Sequence, residues 1–386
     1  MIVTFRAGDP PTALRFHAHD GRTHDDVTQH TVTLLVGTKR GLFVAHADAD
    51  RERWHLSTPY LPGREVYHAF MDPRDGTAWA ATDHAVWGAH VHRSTDRGAT
   101  WETLGSAPHH DDERGLKAIW HLAPGPATQP AAIYAGIEPA GLFISHDRGE
   151  SWQPVRALND HPSNTTWQPA GGGLALGAIQ HDPRDPHRIY CSLSAGGVYR
   201  SDDGGTSWTP CNRGVRAEFL PDRYPPTGQC VHKLLLHPAR PDRLYQQNHC
   251  GVYRSDDRGE SWIEITGELP SDFGYALALD PADPDVAYVI PEESSHMRAT
   301  VAGRLRVYRT RSAGAAWEAL TNGLPQEHAY VSILREGMCS DALTPLGLYV
   351  GTSSGHLFAS RDGGDSWRLI AGYLPRILSV TAATAG

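Results

Sequence analysis

An eight-residue string, Ser-x-Asp-x-Gly-x-x-Trp, returns five times along the chain, and nothing else constrains the fold as tightly. Complete copies run from Ser94 to Trp101, Ser145 to Trp152, Ser201 to Trp208, Ser255 to Trp262 and Ser360 to Trp367. Two worn copies complete the series. The stretch from Thr310 to Trp317 keeps Gly314 and the Trp, and the stretch before Trp54 keeps acidic residues and the Trp. The seven tryptophans therefore recur roughly every 50 residues, a period that marks a propeller or a repeat array. The string has a local physical meaning. Its Asp can accept backbone N–H groups of a tight turn, its Gly supplies a backbone angle that other residues resist, and its Trp wedges against neighbouring elements.

Between the strings the pattern is equally regular. A short apolar strand ends in Asp-Pro or His-Pro, as at 68–73, 178–183, 234–238 and 276–281. A second strand centred on an aromatic follows, as at 132–137, 188–193, 243–248 and 347–352, and a third enters the repeated string. The Trp opens a fourth. Four short strands with turn chemistry between them make a propeller blade. The expected fold is all-β, a single seven-bladed β-propeller of four-stranded antiparallel blades over residues 32–386. The first repeat begins at 33–43 without an inner strand, and 374–383 matches the missing one. The C-terminal strand is thus expected to complete the first blade and remove exposed edges. Residues 1–31 would form a polar, flexible N-terminal extension outside the ring.

The octapeptide resembles the Asp box of the BNR-repeat superfamily. That superfamily includes sialidases, xyloglucan-cleaving glycosidases, sortilin-type receptors and a photosystem II assembly factor. The resemblance covers roughly residues 33–384 and implies a propeller. It also implies one of two functions, glycoside hydrolysis of the sialidase-like kind or a non-catalytic assembly scaffold. The chain departs from the sialidases, which have six blades and an early Arg-Ile-Pro motif. The nearest string here is Pro375-Arg376-Ile377, at the wrong end. It departs from the xyloglucan glycosidases in having one propeller rather than two.

Composition narrows the partners. The net charge of −9 disfavours a nucleic-acid partner, and no apolar run approaches the ~20 residues of a membrane helix. Five cysteines, an odd and sparse set, fit a reducing cytoplasm better than a disulfide framework. The expected partner is a small polar or glycan-like ligand, with room left for a protein partner.

Function must lie where the blades differ. Long loops at 105–118, 155–176, 211–232 and 291–306 fall on the face opposite the boxes, and long loops on a rigid scaffold tend to carry function. Four residues beyond the aromatic of each second strand, the blades offer Lys39, Asp83, Glu138, Ser194, His249, Glu292 and Ser353. This polar ring should line the channel mouth, either as a solvated rim or as a polar ligand site that uses some of these groups. Glu138 and Glu292, with His232, are the candidate catalytic groups. Lys39, Asp83, Lys117, Trp167, Lys233 and Asn248 are the candidate ligand-binding groups, Trp167 as a sugar-stacking platform or loop packing. In the fifth blade, pairing Leu236 with Leu244 sets Cys230 opposite Cys250 and His232 opposite Asn248. Cys230, His232, His249 and Cys250 would then converge as ligands for zinc or copper. The alternatives are a thiolate–imidazole pair, plain packing, or a disulfide. The string Gly351-Thr-Ser353-Ser-Gly355 reads as a strand-to-strand turn rather than a nucleophile elbow, which needs a following helix.

Overall fold

A computed structural model describes residues 32–169 and 173–384; the expected extension at 1–31 lies outside the described residues. Seven four-stranded antiparallel sheets are arranged as blades in a ring. Their inner strands, Ile377–Thr384, Glu65–Met71, Ala118–Pro124, Leu176–His181, Val231–Leu236, Gly274–Leu279 and Met338–Ser340, contact one another in cyclic order around a central channel. The first blade closes as the sequence implies. Ile377–Thr384 pairs with Val32–Thr38, joining the two ends of the ring in one sheet. A buried ion pair from Arg51 to Asp341 at 3.0 Å ties the first blade to the seventh.

The Asp boxes are turn clamps. Ser94 Oγ donates to Asp96 Oδ1 at 2.7 Å and accepts the Gly98 N–H at 2.8 Å. Oδ1 also accepts the Thr100 N–H, and Oδ2 accepts the Thr100 hydroxyl. The same set recurs at Ser145 and Asp147, Ser201 and Asp203, Ser255 and Asp257, and Ser360 and Asp362. The residue before the box Gly is also left-handed, with φ of 58° at Arg97 and 59° at Arg148. With every box carboxylate engaged by its own turn, none is free for chemistry. In two blades the Trp locks onto the previous blade, Trp262 Nε1–H donating to the Cys211 carbonyl and Trp317 Nε1–H to that of Ile265, each at 2.8 Å; Trp101 and Trp208 instead donate to the Gly98 and Gly205 carbonyls of their own turns. Between blades the core is filled by the second-strand aromatics, including the fully buried Trp79, Tyr190, Tyr245, Tyr288 and Tyr349.

The inner strands depart from simple alternation. In the second to sixth blades the register slips by one between Val66 and His68, Ile119 and His121, Leu176 and Ala178, Val231 and Lys233, and Gly274 and Ala276. Each slip is a β-bulge, in which two residues of one strand oppose one of its partner. The unpaired residues are Tyr67, Trp120, Gly177, His232 and Tyr275. Each bulge stands at the channel mouth, and except at Gly177 two consecutive side chains face the channel at different depths.

Candidate functional site at the channel mouth

The bulged residues make the upper layer. Tyr67 and Trp120 lie with ring centroids 5.6 Å apart, and His232 and Tyr275 with centroids 4.5 Å apart. The guanidinium of Arg335, carried in just ahead of the seventh inner strand, bridges the two pairs. It lies 5.2 Å from the Trp120 ring and 5.3 Å from the Tyr275 ring, within cation–π range of both faces. Tyr67, Trp120 and Arg335 remain partly exposed. Three further aromatics with large exposed faces, Trp87, Tyr330 and Tyr373, stand on loops of the same side of the ring.

Two carboxylates flank this layer, and both are covered. Glu138 ends the second strand of the third blade; it accepts Lys117 Nζ–H at 2.6 Å on one oxygen and Trp120 Nε1–H at 2.9 Å on the other. Gly173, at φ 89°, lies over the carboxylate, and a Cβ there would come within 2.2 Å of Oε1. Glu292 is fully buried. Its Oε1 accepts the Ser332 hydroxyl at 2.6 Å and the Ile333 N–H at 3.0 Å. Its Oε2 has no hydrogen-bond partner among the described residues. Burial pushes the Glu292 carboxyl up to about 7, against the opposing pull of Ser332, Ile333, Arg298 and Arg376.

The rest of the polar ring is tied up locally. Lys39 pairs with Glu65 at 2.6 Å, and Glu65 also accepts the Tyr67 hydroxyl. Asp83 sits opposite Glu65 at the end of the same sheet. Ser194 Oγ donates to the Gly173 carbonyl at 3.0 Å, and Ser353 Oγ accepts the Ser332 N–H. Two expected binding residues lie elsewhere. Trp167 is buried in the outer part of the fourth blade, where its indole donates to the Tyr199 hydroxyl at 2.8 Å, so it packs the loop and offers no open face to the channel. Asn248 is fully buried and spends its amide on Gln246 and the Cys250 N–H.

In the fifth blade the expected pairing is corrected. Leu236 does oppose Leu244, but the bulge at His232 shifts everything above it, so Asn248 faces Val231 and the His249 N–H donates to the Cys230 carbonyl. Cys230 is therefore opposite His249 and not Cys250. The Cys250 thiol stands beside Glu218, outside the group formed by the others. One ligand-capable atom each from Cys230, His232 and His249 lies within 4.8 Å of the other two. All five cysteines are free thiols. Burial pushes the Cys230 thiol up, opposed by Arg335, the Ala195 N–H and Arg298. Burial also holds His232 well below the usual histidine range, so its ring is neutral.

Below this layer lies a second cluster that the sequence did not single out. His68, His121, Lys233 and Glu336 meet inside the channel, all buried. Lys233 Nζ makes an ion pair with Glu336 Oε2, so the lysine expected to bind ligand is neutralised within the protein. His121 Nδ1 lies 3.5 Å from Glu336 Oε1 and His68 Nε2 3.9 Å from Oε2. Burial would raise the Glu336 carboxyl, but Lys233 outweighs it and holds the group well below the usual range. Sequence reasoning missed Tyr67, Trp120, Tyr275, His68 and His121 because they belong to inner strands whose bulges hide which residues face inward, and Arg335 and Glu336 because they lie ahead of the seventh inner strand, outside the repeat pattern.

Comparisons with known proteins agree with this architecture. The BNR/Asp-box repeat family matches residues 143–154. A xyloglucanase of a Paenibacillus species is 25% identical over 246 residues, covering 53% of this chain and 22% of its own length. The oligoxyloglucan-reducing end-specific xyloglucanase of Emericella nidulans is 26% identical over 200 residues, covering 45% and 24%. The chain thus spans about a quarter of the length of these curated relatives. Among solved structures, a GH74 enzyme of Niastella koreensis superposes with a TM-score of 0.59 at 18% identity, covering 89% of this chain and 56% of that one. YCF48 bound to D1 peptide gives 0.53 at 15%, covering 92% and 98%. At such identities the likeness is one of fold. The chain is a seven-bladed propeller of the BNR/Asp-box type.

Proposed function

We propose that this propeller binds a small polar, glycan-like ligand across the channel mouth. The observation that carries the reading is the partly exposed pair of Tyr67 and Trp120 with Arg335, backed by the buried His232 and Tyr275. Its flat apolar faces suit the faces of sugar rings, and Lys117 and Arg335 supply donors for hydroxyl or carboxylate oxygens. The exposed Trp87, Tyr330 and Tyr373 would extend the contact along the same face. Glu138 serves this layer by fixing Lys117 and Trp120. The xyloglucanase relatives support a glycan as the ligand class.

A hydrolase is the second reading, and Glu292 is the observation behind it. A carboxyl raised to about 7 with one unpartnered oxygen has the character of a general acid. Glycoside hydrolysis needs a second carboxylate across the scissile bond, a part that falls to Glu138. Both carboxylates are covered, and this favours binding over cleavage.

Calorimetric titration with xyloglucan oligosaccharides and with sugar acids tests both. Binding by the parent, weakened at least about tenfold in Trp120→Ala and Arg335→Ala with melting temperature kept, is the expected result. Binding that is absent, or unchanged in both variants, overturns it. Release of reducing ends that disappears in Glu292→Gln would establish the hydrolase.

A further inference from the structure

Two clusters in this channel offer metal-ligating atoms, Cys230 with His232 and His249, and His68 with His121 and Glu336. The proton positions of their histidines separate them. In a neutral imidazole one nitrogen carries hydrogen and the other a lone pair, and the hydrogen bond made by one nitrogen fixes the role of the other. His68 Nδ1 accepts the Leu122 N–H at 3.3 Å. Its lone pair is thereby used, and Nε2 carries the hydrogen that points toward Glu336. Glu336 is already paired with Lys233, whose ammonium would face any cation placed there. The deeper cluster is therefore already organised around an ion pair, with His121 Nδ1 and Glu336 Oε1 left without hydrogen-bond partners among the described residues.

The upper cluster has the opposite polarity. His232 Nδ1–H donates to the Gly274 carbonyl at 2.6 Å. This places the hydrogen on Nδ1 and leaves Nε2 as a lone-pair donor, held in one orientation by the backbone. A metal-ligating histidine is held in the same way, with its second nitrogen donating to a carbonyl or carboxylate. The ring is further fixed between Tyr275, Phe273 and His249, at centroid separations of 4.5, 5.4 and 5.6 Å. Among the described residues the His249 ring makes edge-on contacts with His232, Phe219 and Phe273, and it is partly exposed. The cluster is thus open on its side.

We infer that Cys230, His232 and His249 form a binding site for a thiophilic transition metal, zinc or copper, at the channel mouth. One thiolate and two imidazoles provide three protein ligands and leave a fourth position open, as catalytic zinc sites do, and they are the donor set of trigonal copper sites. With bonds of ~2.3 Å to sulfur and ~2.0–2.1 Å to nitrogen, the donor atoms must stand roughly 3.3–3.6 Å apart. One donor atom of each residue already lies within 4.8 Å of the other two, so binding requires the three to draw together by at most about 1.5 Å. The thiolate cancels one charge of a divalent ion. Arg335, stacked on Tyr275 beside His232, and Arg298 favour an anion such as hydroxide or a carboxylate in the open position. This site shares His232 with the proposed glycan-binding layer, but its test uses no sugar.

The full chain is treated with chelator and dialysed against zinc, copper or cobalt(II). Bound metal is measured by elemental analysis, and cobalt by its absorption. One zinc or one copper per chain is expected, and the more tightly held of the two identifies the metal. Cobalt should show thiolate-to-metal charge transfer. Cys230→Ser should abolish that band, and His249→Ala, at a partly exposed position that tolerates truncation, should weaken binding at least about tenfold. Cys250→Ser and His121→Asn should bind as the parent does. Absence of stoichiometric metal in the parent overturns the site. So does metal that persists in both Cys230→Ser and His249→Ala, or that is lost in His121→Asn while Cys230→Ser retains it.

Discussion

Gly173 lies directly over the Glu138 carboxylate, so close that a single methyl group would stand 2.2 Å from Oε1. The roof over this acid is therefore backbone, and it is shaped for glycine alone. Two demands meet at one position: the close approach, and a φ of 89° that other residues resist.

Gly173→Ala should accordingly displace Glu138 and loosen Lys117 and Trp120. The expected outcome is a stability loss of about 1–2 kcal/mol from the left-handed backbone, with a larger proportional loss of ligand affinity. Thermal melts paired with titration calorimetry separate the two. Unchanged affinity would show that Glu138 does not organise the mouth.

The Lys233–Glu336 pair predicts strong non-additivity. Lys233→Met leaves a buried carboxylate without its cation, at a cost of about 3–5 kcal/mol. Lys233→Met combined with Glu336→Gln removes both charges and should be markedly more stable than the single variant. Denaturant unfolding of the two variants measures the difference. A double variant no better than the single one would mean that the pair is not an isolated electrostatic unit.

Glu292 predicts how stability varies with pH. Its folded pKa, about 7, lies above the ordinary value of 4.5, so between those values the folded state holds more protons than the unfolded state. Stability from this group is fully present below pH 4.5 and is lost as pH rises through about 7, by up to about 3 kcal/mol. Glu292→Gln keeps an acceptor for Ser332 and Ile333 and should flatten that decline. Urea titrations from pH 5 to 8 provide the check, and parallel curves for the two proteins would count against the raised pKa.

Truncation at Pro375 should abolish closure. The lost segment buries Ile377, Leu378 and Val380 and satisfies the edge of Val32–Thr38. Aggregation or a broadened melt is expected; a soluble chain melting at the parent temperature would show that the ring needs no such seal.

In the boxes, Trp208→Ala should cost about 3–5 kcal/mol. Asp203→Asn should lower the melting temperature, because the carboxylate accepts from Ser201, the Ser207 N–H and the Ser207 hydroxyl. Ligand binding should survive in both. Loss of binding in Asp203→Asn without a change in melting temperature would reverse the structural assignment of the boxes.

The blades were legible because their signals are local. A Ser, Asp, Gly and Trp within eight residues close one turn by their own hydrogen bonds, and the spacing of those turns counts the blades. Ring closure was legible for a similar reason, since a missing strand at one end matched a surplus strand at the other. The mouth was legible only in part. Glu138, Glu292 and His249 lie at strand ends, where counting from an aromatic holds. Cys250, by contrast, was placed by a pairing rule that assumes unbroken register, and the bulge at His232 breaks it. Trp120, Tyr275 and His121 looked like ordinary strand residues, because whether they face the channel depends on that same extra residue. Glu336 gave no sequence signal at all, its partners being brought to it from three other blades.

The bulges give the lining an economy of their own. His232 and Lys233 are adjacent in the chain, yet one belongs to the upper layer and the other to the ion pair beneath it. The same holds for Tyr67 and His68, and for Trp120 and His121. Deleting a bulged residue would restore plain alternation and draw its neighbours into new positions around the rim, while the paired sheet below kept its place. Diversity at the rim is in this way uncoupled from the scaffold: one residue per blade can change what the opening recognises, and the repeat that builds the wheel never has to change with it.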